Sequence, residues 1–273
     1  MTPPPEPIPR EALKQRAAAL KLHGLLAHFD VLTEPQLAAA QQIIDWEITE
    51  RRRRGLERRL RAAHIGRFKP LADFDWQWPQ QCDQAAVSAL MSLGFINDAT
   101  NPILVGPNGV GKTMIAQNIA HHAALQGHSA LFVNAAQMLG DLAAQDGDNA
   151  LRRRLQHYAR PDVLVIDELG YLSYGNRHAD LLFNIVTRRY ELKPTILTTN
   201  RPFAEWNDVF PNAACVVSIV DRLVHHSEIL VIEGESYRAR EAAERASRKK
   251  QPSIQSARAR KPEHPTPRAE QRP

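Results

Sequence analysis

Apolar residues follow two different periods in the central part of the chain. Short apolar runs occur at 103–105, 130–133, 163–166 and 229–232, and the β-branched run TILTT lies at 195–199; each of the five predicts a buried strand. Between these runs, apolar residues return every three or four positions, which indicates amphipathic helices. Strands that alternate with helices favour a parallel sheet flanked by helices, so we predict an α/β fold.

Two further helices are predicted before this region. Residues 11–29 and 36–63 both have helical periodicity, and between them Thr33 precedes Glu34 and Pro35, where it can cap the second helix. Residues 67–81 contain prolines and aromatic residues and are typical of a linker that packs on the next domain. We therefore expect a small all-α region to precede the α/β domain.

The sequence divides into three regions of different composition. We predict a helical, basic region at residues 1–68, an α/β domain at residues 69–240, and a basic tail at residues 241–273. The tail has few apolar side chains and cannot bury a core, so we expect it to be disordered.

Charge is distributed unevenly along the chain. The net charge is +5, but residues 1–70 hold 13 basic against 8 acidic residues, residues 71–240 hold 13 against 18, and residues 241–273 hold 9 against 4. An acidic centre between two basic ends favours a protein that binds a polyanion through its ends.

The composition argues against membrane and secreted classes of protein. The longest nearly apolar run, residues 213–220, is shorter than the roughly 18 residues that a membrane span requires, and the first residues lack the apolar core of a signal peptide. We therefore expect a cytoplasmic protein that binds no membrane. Cys82 and Cys215 lie far apart without a CxxC pair, which argues against a disulfide scaffold or a structural zinc site.

The segment ILVGPNGVGKT at residues 103–113 has the spacing of a phosphate-binding loop between a strand and a helix. Its glycines let backbone N–H groups approach a phosphate, Lys112 is expected to contact the β and γ phosphates, and Thr113 is expected to hold Mg²⁺. The candidate nucleotide-binding residues are Gly106, Pro107, Asn108, Gly109, Val110, Gly111, Lys112 and Thr113. The alternative is a glycine-rich turn without a ligand, but the helix dipole disfavours a lysine at a helix start.

Polar residues follow two of the predicted strands. Asp167 and Glu168 end the run at 163–166, and we expect Asp167 to bind Mg²⁺ and Glu168 to activate the attacking water. Asn200 follows the run at 195–199 and can hydrogen-bond the γ phosphate or the lytic water. The alternatives are an ordinary helix cap for the acidic pair and a turn for Asn200.

Arginines in two segments suit a nucleotide triphosphate. Arg222 lies in a helical stretch, and Arg238 and Arg240 follow the last predicted strand. A guanidinium matches phosphate in charge and geometry, and one supplied by a neighbouring subunit can raise the rate about 10³- to 10⁵-fold. If Arg222 has that role, the protein is active only as an oligomer.

The second predicted helix carries a row of arginines. Arg51, Arg54, Arg58 and Arg61 lie at steps of three and four and share one face, with Arg52 and Arg59 nearby. This arrangement predicts salt-dependent contacts with the backbone of double-stranded DNA, with little sequence specificity. The alternative is a solvated face on which Glu47, Glu50 and Glu57 pair with Arg51, Arg54 and Arg61.

Two pairs of histidines are candidates for a metal site. His121 and His122, like His225 and His226, are adjacent in predicted helices, where neighbouring side chains point in different directions. We therefore expect no zinc site from either pair.

Six segments, in this order and spacing, resemble the IstB-like ATPases, which are helpers of insertion-sequence transposition. They are GPNGVGKT, VLVIDELGYL, ADLLFNIVTRRYE, TILTTNRPFAEW, IVDRLVHHSEIL and GESYRAR. The similarity covers residues 67–240, and this family belongs to the AAA+ class and is similar to the DnaC helicase loaders.

The resemblance implies an AAA+ fold and an ATPase with ATP and Mg²⁺ as cofactors. By this resemblance residues 106–113 are the Walker A loop, and Asp167 and Glu168 are the Walker B pair. It further implies that Asn200 is the first sensor, Arg222 the finger that acts on a neighbouring subunit, and Arg238 the second sensor.

The resemblance also implies partners. It predicts a homo-oligomer that binds and deforms DNA and recruits or stimulates a cognate transposase. One alternative is a DnaC-like loader whose client is a replicative helicase, and another is a DNA-binding scaffold with a purely structural nucleotide site. Two features depart from the family's pattern: little chain after residue 232 is available for a helical lid, and the arginine-rich tail lies outside its motifs.

Overall fold

The computed structural model describes residues 8–171, 175–210 and 213–250. It begins with three helices, α1 (Arg10–Ala19), α2 (His23–Ala27) and α3 (Glu34–Ala62), and a 3₁₀ turn at Phe29–Val31. Leu13, Phe29 and Ile44 form the centre of a small apolar cluster among these helices. The predicted all-α region before the α/β domain is therefore observed.

The prediction of one continuous helix over residues 11–29 is wrong. Lys21 has a left-handed backbone with φ +60°, and the N–H of Leu22 donates to the carbonyl of Ala17, which ends α1 in a Schellman-type turn. The apolar spacing resumes after this turn, so periodicity alone did not reveal it.

Helix α3 connects the N-terminal region to the rest of the molecule. It begins as expected after Thr33, whose N–H donates to the Gln36 side chain at 2.9 Å. Near its other end, Arg59 Nε donates to the carbonyl of Ala124 at 3.0 Å, and the carbonyl of Ala63 accepts from Phe132 N–H at 2.8 Å. The 29-residue helix therefore carries the N-terminal cluster at one end and is tied to the α/β domain at the other.

A five-stranded parallel sheet organises the α/β domain and confirms the predicted fold class. Its spatial order is β2-β3-β4-β1-β5, and each of the five strands differs by at most three residues at either end from its prediction. The strands are β1 (Asn101–Val105), β2 (Ala130–Asn134), β3 (Val163–Leu169), β4 (Thr195–Thr199) and β5 (Ser227–Val231). The helices around them are α4 (Gln84–Met91), α5 (Lys112–Leu125), α6 (Ala135–Ala143), α7 (Asp148–Ala159), α8 (Asn176–Arg189), α9 (Trp206–Val209) and α10 (Ala213–His225).

Both faces of the sheet are covered. Successive residues of a strand point to opposite faces, so Ile103 belongs to one apolar core and Leu104 to the other. Ala63, Ile65 and Phe74 pack into the second core. The end of the helical region and the linker are therefore part of the α/β domain's packing.

The expectation of disorder from residue 241 is wrong for residues 241–250, because helix α11 (Tyr237–Lys250) continues through them. It packs on the linker: Trp78 Nε1 donates to the carbonyl of Glu235 at 2.9 Å, and the Arg240 guanidinium lies 4.4 Å from the centre of the Trp78 ring. Lys69 forms an ion pair with Glu241 at 3.3 Å. Residues 251–273 of the expected tail lie outside the described residues.

None of the helices in these described ranges is long and apolar enough to cross a membrane.

A buried arginine holds two connections of the sheet together. Arg189 is 1% exposed and donates to the carbonyls of Ala159, Pro161, Asp162 and Pro194 and to the Thr195 hydroxyl. Burial lowers the pKa of Arg189 to about 9, so the guanidinium remains charged near neutral pH. These bonds join the end of α7 to the turn between α8 and β4.

We expect Arg189→Met to lower the free energy of unfolding by about 3 kcal/mol or more, because several buried carbonyls lose their donor. The matched control is Arg188→Met, since Arg188 is the exposed neighbour on the same helix and its loss should change stability by at most about 0.5 kcal/mol. Urea unfolding of both variants measures the difference, and equal stabilities would contradict this structural role.

Candidate functional site

A cavity of about 570 Å³ lies at the carboxyl edge of the sheet. The loop between β1 and α5 forms its floor, the linker forms one wall and the start of α11 forms another. In open parallel sheets this edge is where ligands bind, because helix N-termini and strand ends converge there.

Close packing explains two glycines of this loop. A Cβ atom at Gly106 would lie 2.0 Å from the carbonyl oxygen of Ile232, just after β5. At Gly109, which has φ +85°, a Cβ would lie 2.1 Å from the Ser236 hydroxyl oxygen. The N–H of Tyr237 also donates to the carbonyl of Gly109 at 3.0 Å. The loop is therefore seated against the connection from β5 to α11.

Lys112 is the first residue of α5 and is 7% exposed. Its Nζ donates to the carbonyls of Gly106 at 2.6 Å and Pro107 at 2.7 Å. Burial lowers the pKa of Lys112 to about 8, and the positive charge of Arg238 acts in the same direction. A phosphate bound in the loop would contact an ammonium group that has little water around it. The electrostatic attraction between the two charges is stronger there than in bulk water.

Asp167 is buried at the carboxyl end of β3 and accepts two hydroxyl hydrogen bonds. Thr198 Oγ1 donates to its Oδ1 at 2.6 Å, and Thr113 Oγ1 lies 3.1 and 3.2 Å from its two oxygens. Burial raises the pKa of Asp167, against the effect of these bonds. Thr113 and Asp167 are paired hard oxygen donors, so the residues present fit a Mg²⁺ ion at this position.

Glu168 differs from Asp167 in its surroundings. It is exposed, has a left-handed backbone with φ +60°, and its N–H donates to Thr198 Oγ1 at 2.8 Å. Asn134, at the end of β2, donates from Nδ2 to Glu168 Oε2 at 2.9 Å, and its Oδ1 caps α6. Of the two adjacent carboxylates, one is thus buried and the other exposed.

Sequence reasoning missed Thr198 and Asn134. The available indication was a polar residue at the carboxyl end of an apolar strand, the same kind that identified Asn200. Thr198 is fully buried and its single hydroxyl contacts both acidic residues, so it fixes their relative position.

Asn200 and Arg238 both line the cavity. The Oδ1 of Asn200 is buried and has no hydrogen-bond partner within the described ranges. A buried acceptor without a donor is costly, and a ligand or water in the cavity could supply that donor.

Arg222 does not contribute to this cavity as the described residues form it. It lies on α10, where its guanidinium is 4.6 Å from the centre of the Phe183 ring. The structure therefore brings together the loop, Asp167, Glu168, Asn200 and Arg238, and leaves Arg222 elsewhere.

The arginines of α3 fall into two groups. Arg51 Nε lies 2.5 Å from Glu47 Oε1, and Arg54 Nε lies 2.6 Å from Glu50 Oε1, so these two arginines form ion pairs within the helix. The expected pair of Glu57 with Arg61 is not observed, because Glu57 bonds Arg53 instead. Arg52, Arg58 and Arg61 are exposed and have no ion-pair partner in the part of the chain that the structure describes.

Comparison with known proteins gives a consistent family. The profile of the IstB-like ATP binding protein family matches residues 15–245. A Pseudomonas aeruginosa protein named for ATP binding in insertion sequence IS21 is 36% identical over 81% of this chain and 86% of its own length. A protein of Mycobacterium tuberculosis, named for ATP binding in an insertion sequence, is 33% identical over 84% of this chain and 94% of its own length.

Solved structures show the same fold at lower identity. The crystal structure of DnaI has a TM-score of 0.52 and 22% identity, covering 63% of this chain and 91% of DnaI. A DNA replication initiation factor has a TM-score of 0.51 and 20% identity, covering 68% of this chain and 56% of that protein.

Proposed function

The chain belongs to the family of IstB-like ATP-binding proteins, and from this premise we propose that it is an ATP-hydrolysing, DNA-binding helper of insertion-sequence transposition. The observation that carries the proposal is one cavity that collects the phosphate-binding loop, Glu168, Asn200 and Arg238. Its cofactors are ATP and Mg²⁺, and its place of action is the cytoplasm, on DNA.

The loop and Lys112 bind the triphosphate. Lys112 gives up its hydrogen bonds to the carbonyls of Gly106 and Pro107 and donates to the β and γ phosphates instead. Thr113 and Asp167 would hold Mg²⁺, which supplies positive charge to the phosphate oxygens when it is bound. Arg238, at the start of α11, faces the same cavity and adds a second cation.

Glu168 orients and deprotonates the water that attacks the γ phosphate. Its exposure leaves the carboxylate free to accept a proton at the mouth of the cavity, and Asn200 aligns the same water or the phosphate. The hydrogen bond from Asn134 keeps the Glu168 carboxylate on the β2 side. We therefore expect Glu168 to act more readily as the base once it leaves Asn134.

Arg222 acts on the ATP of a neighbouring subunit in a homo-oligomer. Support comes from two observations: within the described residues Arg222 is absent from the cavity of its own chain, and its guanidinium lies against the Phe183 ring. A guanidinium supplied between subunits would connect hydrolysis to assembly.

The unpaired arginines of α3 bind the DNA backbone. Arg58 and Arg61 share a face of the helix, whereas Arg52 projects from a different face, about 120° around the helix from Arg58. The client is a transposase, because the relatives at 33% and 36% identity are named for insertion sequences, whereas the likeness to DnaI is one of fold alone.

Two variants separate binding from hydrolysis. We expect Lys112→Ala to weaken ATP binding at least about tenfold, because a charge-assisted hydrogen bond is lost. We expect Glu168→Gln to keep the affinity and to lower turnover by about 10²- to 10⁴-fold. Fluorescent-nucleotide binding and phosphate release measure the two quantities.

Lys193→Ala is the control for these variants, since Lys193 lies outside the cavity and pairs with Asp162. Turnover of Glu168→Gln at the wild-type rate would reject Glu168 as the base. Unchanged affinity of Lys112→Ala would reject the loop's assigned role.

We expect Asn134→Ser to raise turnover without DNA by up to about tenfold, because the hydrogen bond that holds Glu168 is lost. Serine can still cap α6, so the free energy of unfolding should stay within about 0.5 kcal/mol of the wild type. Steady-state ATPase assays and urea unfolding test both parts. Unchanged or slower turnover would mean that Asn134 does not restrain Glu168.

The DNA contact is tested through its salt dependence. Changing Arg52, Arg58 and Arg61 together to Gln should weaken duplex binding and reduce the slope of log affinity against log salt by up to about 2.7, since each phosphate contact contributes about 0.9. The control changes Arg152, Arg153 and Arg188 to Gln, which removes the same charge from exposed positions elsewhere. Equal slopes for the two triple variants would show that this part of α3 does not contact DNA.

A further inference from the structure

Three potential metal ligands meet at the edge of the sheet opposite the nucleotide cavity. Glu191 lies in the turn between α8 and β4, His225 is the last residue of α10, and His226 immediately precedes β5. Their ligand atoms all lie within 4.8 Å of one another.

The expectation that His225 and His226 point apart is wrong, because α10 ends at His225 and the chain turns there. The two ring centres are 4.2 Å apart, with an angle of 65° between the ring planes. Glu191 Oε1 lies 3.8 Å from His225 Nδ1 and 3.5 Å from His226 Nε2. The Glu191 carboxylate therefore lies close to both imidazole rings.

These distances are close to those of a tetrahedral metal site. With metal–ligand bonds of about 2.0–2.1 Å, neighbouring ligand atoms of a tetrahedral zinc site are about 3.3–3.4 Å apart. The two carboxylate–imidazole distances exceed this value by about 0.1–0.5 Å, and the two imidazole nitrogens lie within 4.8 Å of each other. Small rotations of the side chains would bring all three atoms onto one ion.

The backbone under the cluster is held in place. The carbonyl of Arg189 accepts from the N–H groups of Leu192 and Lys193, both at 2.9 Å, which closes the turn that carries Glu191. The carbonyl of His226 accepts from Asn101 N–H at 2.8 Å, which ties it to the start of β1. Little backbone ordering entropy therefore remains to be lost when an ion binds.

Tyr190 lies beside the cluster, and its hydroxyl oxygen is 2.9 Å from His225 Nδ1. Because a ring nitrogen has a single lone pair, this hydroxyl must release Nδ1 when that nitrogen binds an ion.

We propose that Glu191, His225 and His226 bind a divalent transition-metal ion of the zinc type, which joins the α8–β4 turn to the α10–β5 turn. Two imidazoles and one carboxylate suit zinc, whereas Mg²⁺ and Ca²⁺ prefer sites made entirely of oxygen. The side chains are about half exposed, so water can complete the coordination.

The metal would also fix the end of the helix that carries Arg222. Arg222 lies three residues before His225 in α10. This consequence depends on the proposed function, whereas metal binding itself does not.

The test uses the untagged full-length protein, without nucleotide, titrated with Co²⁺ and then with Zn²⁺. We expect one Co²⁺ per chain with the intense visible absorption of tetrahedral cobalt, and its displacement by Zn²⁺. Glu191→Gln and the double variant His225→Gln/His226→Gln should each weaken Zn²⁺ binding by about 10- to 100-fold or more. Zn²⁺ at about 100 times its Kd should raise the wild-type Tm by about 5 °C and leave that of the double variant unchanged.

The control is His23→Gln/His28→Gln, which removes two exposed histidines of the N-terminal region and should bind Zn²⁺ like the wild type. Unfolding in EDTA checks that each variant is folded, and either metal-site variant suffices for the test because the two change different turns. The proposal is overturned if Co²⁺ shows only weak octahedral absorption, or if the metal-site variants bind Zn²⁺ as tightly as the wild type.

Discussion

A buried carboxylate at the end of a parallel strand is the constraint around which the rest of the structure is arranged. Asp167 loses most of its water, and the hydroxyls of Thr113 and Thr198 replace part of it. The same Thr198 oxygen accepts the N–H of Glu168, which fixes the left-handed turn that directs Glu168 outwards. One hydroxyl thus produces two acids of different character from adjacent residues: a shielded one suited to a cation and an exposed one suited to exchange protons.

The walls of the cavity come from both ends of the α/β domain. The linker contributes Phe74, the end of β5 contacts the loop at Gly106, and α11 starts at the carbonyl of Gly109. The stacking of Arg240 on Trp78 joins linker and helix directly. The linker follows α3 in the chain. A ligand that shifts the loop would therefore also displace, through the linker, the helix with the unpaired arginines. This path is a physical connection through packed groups, along which nucleotide binding can bias the proposed DNA contact.

Periodicity and spacing predicted much of this molecule, and most of their failures have a common cause. All five strands, the loop and the acidic pair follow from short stretches of chain, because burial on two faces and phosphate binding each restrict consecutive residues. The role of Asn134, the double contact of Thr198 and the convergence of Glu191 with His226 depend on strands and turns that are distant in sequence. The end of α1 at Lys21 was missed for another reason, since the Schellman-type turn there uses no glycine.

The balance of charge in the cavity bears on why the protein would act as an oligomer. Lys112 and Arg238 are among the cationic side chains that line the cavity around the phosphate-binding loop, and burial already lowers the pKa of Lys112 to about 8. A triphosphate with its magnesium still carries excess negative charge, which grows at the γ phosphate as the bond breaks. A further cationic side chain from the same subunit would also lose water in the cavity, which would raise the desolvation free energy while no ligand is bound. An arginine that arrives only with a neighbouring subunit avoids this cost, and the placement of Arg222 against Phe183, away from its own cavity, fits such a division between binding and catalysis.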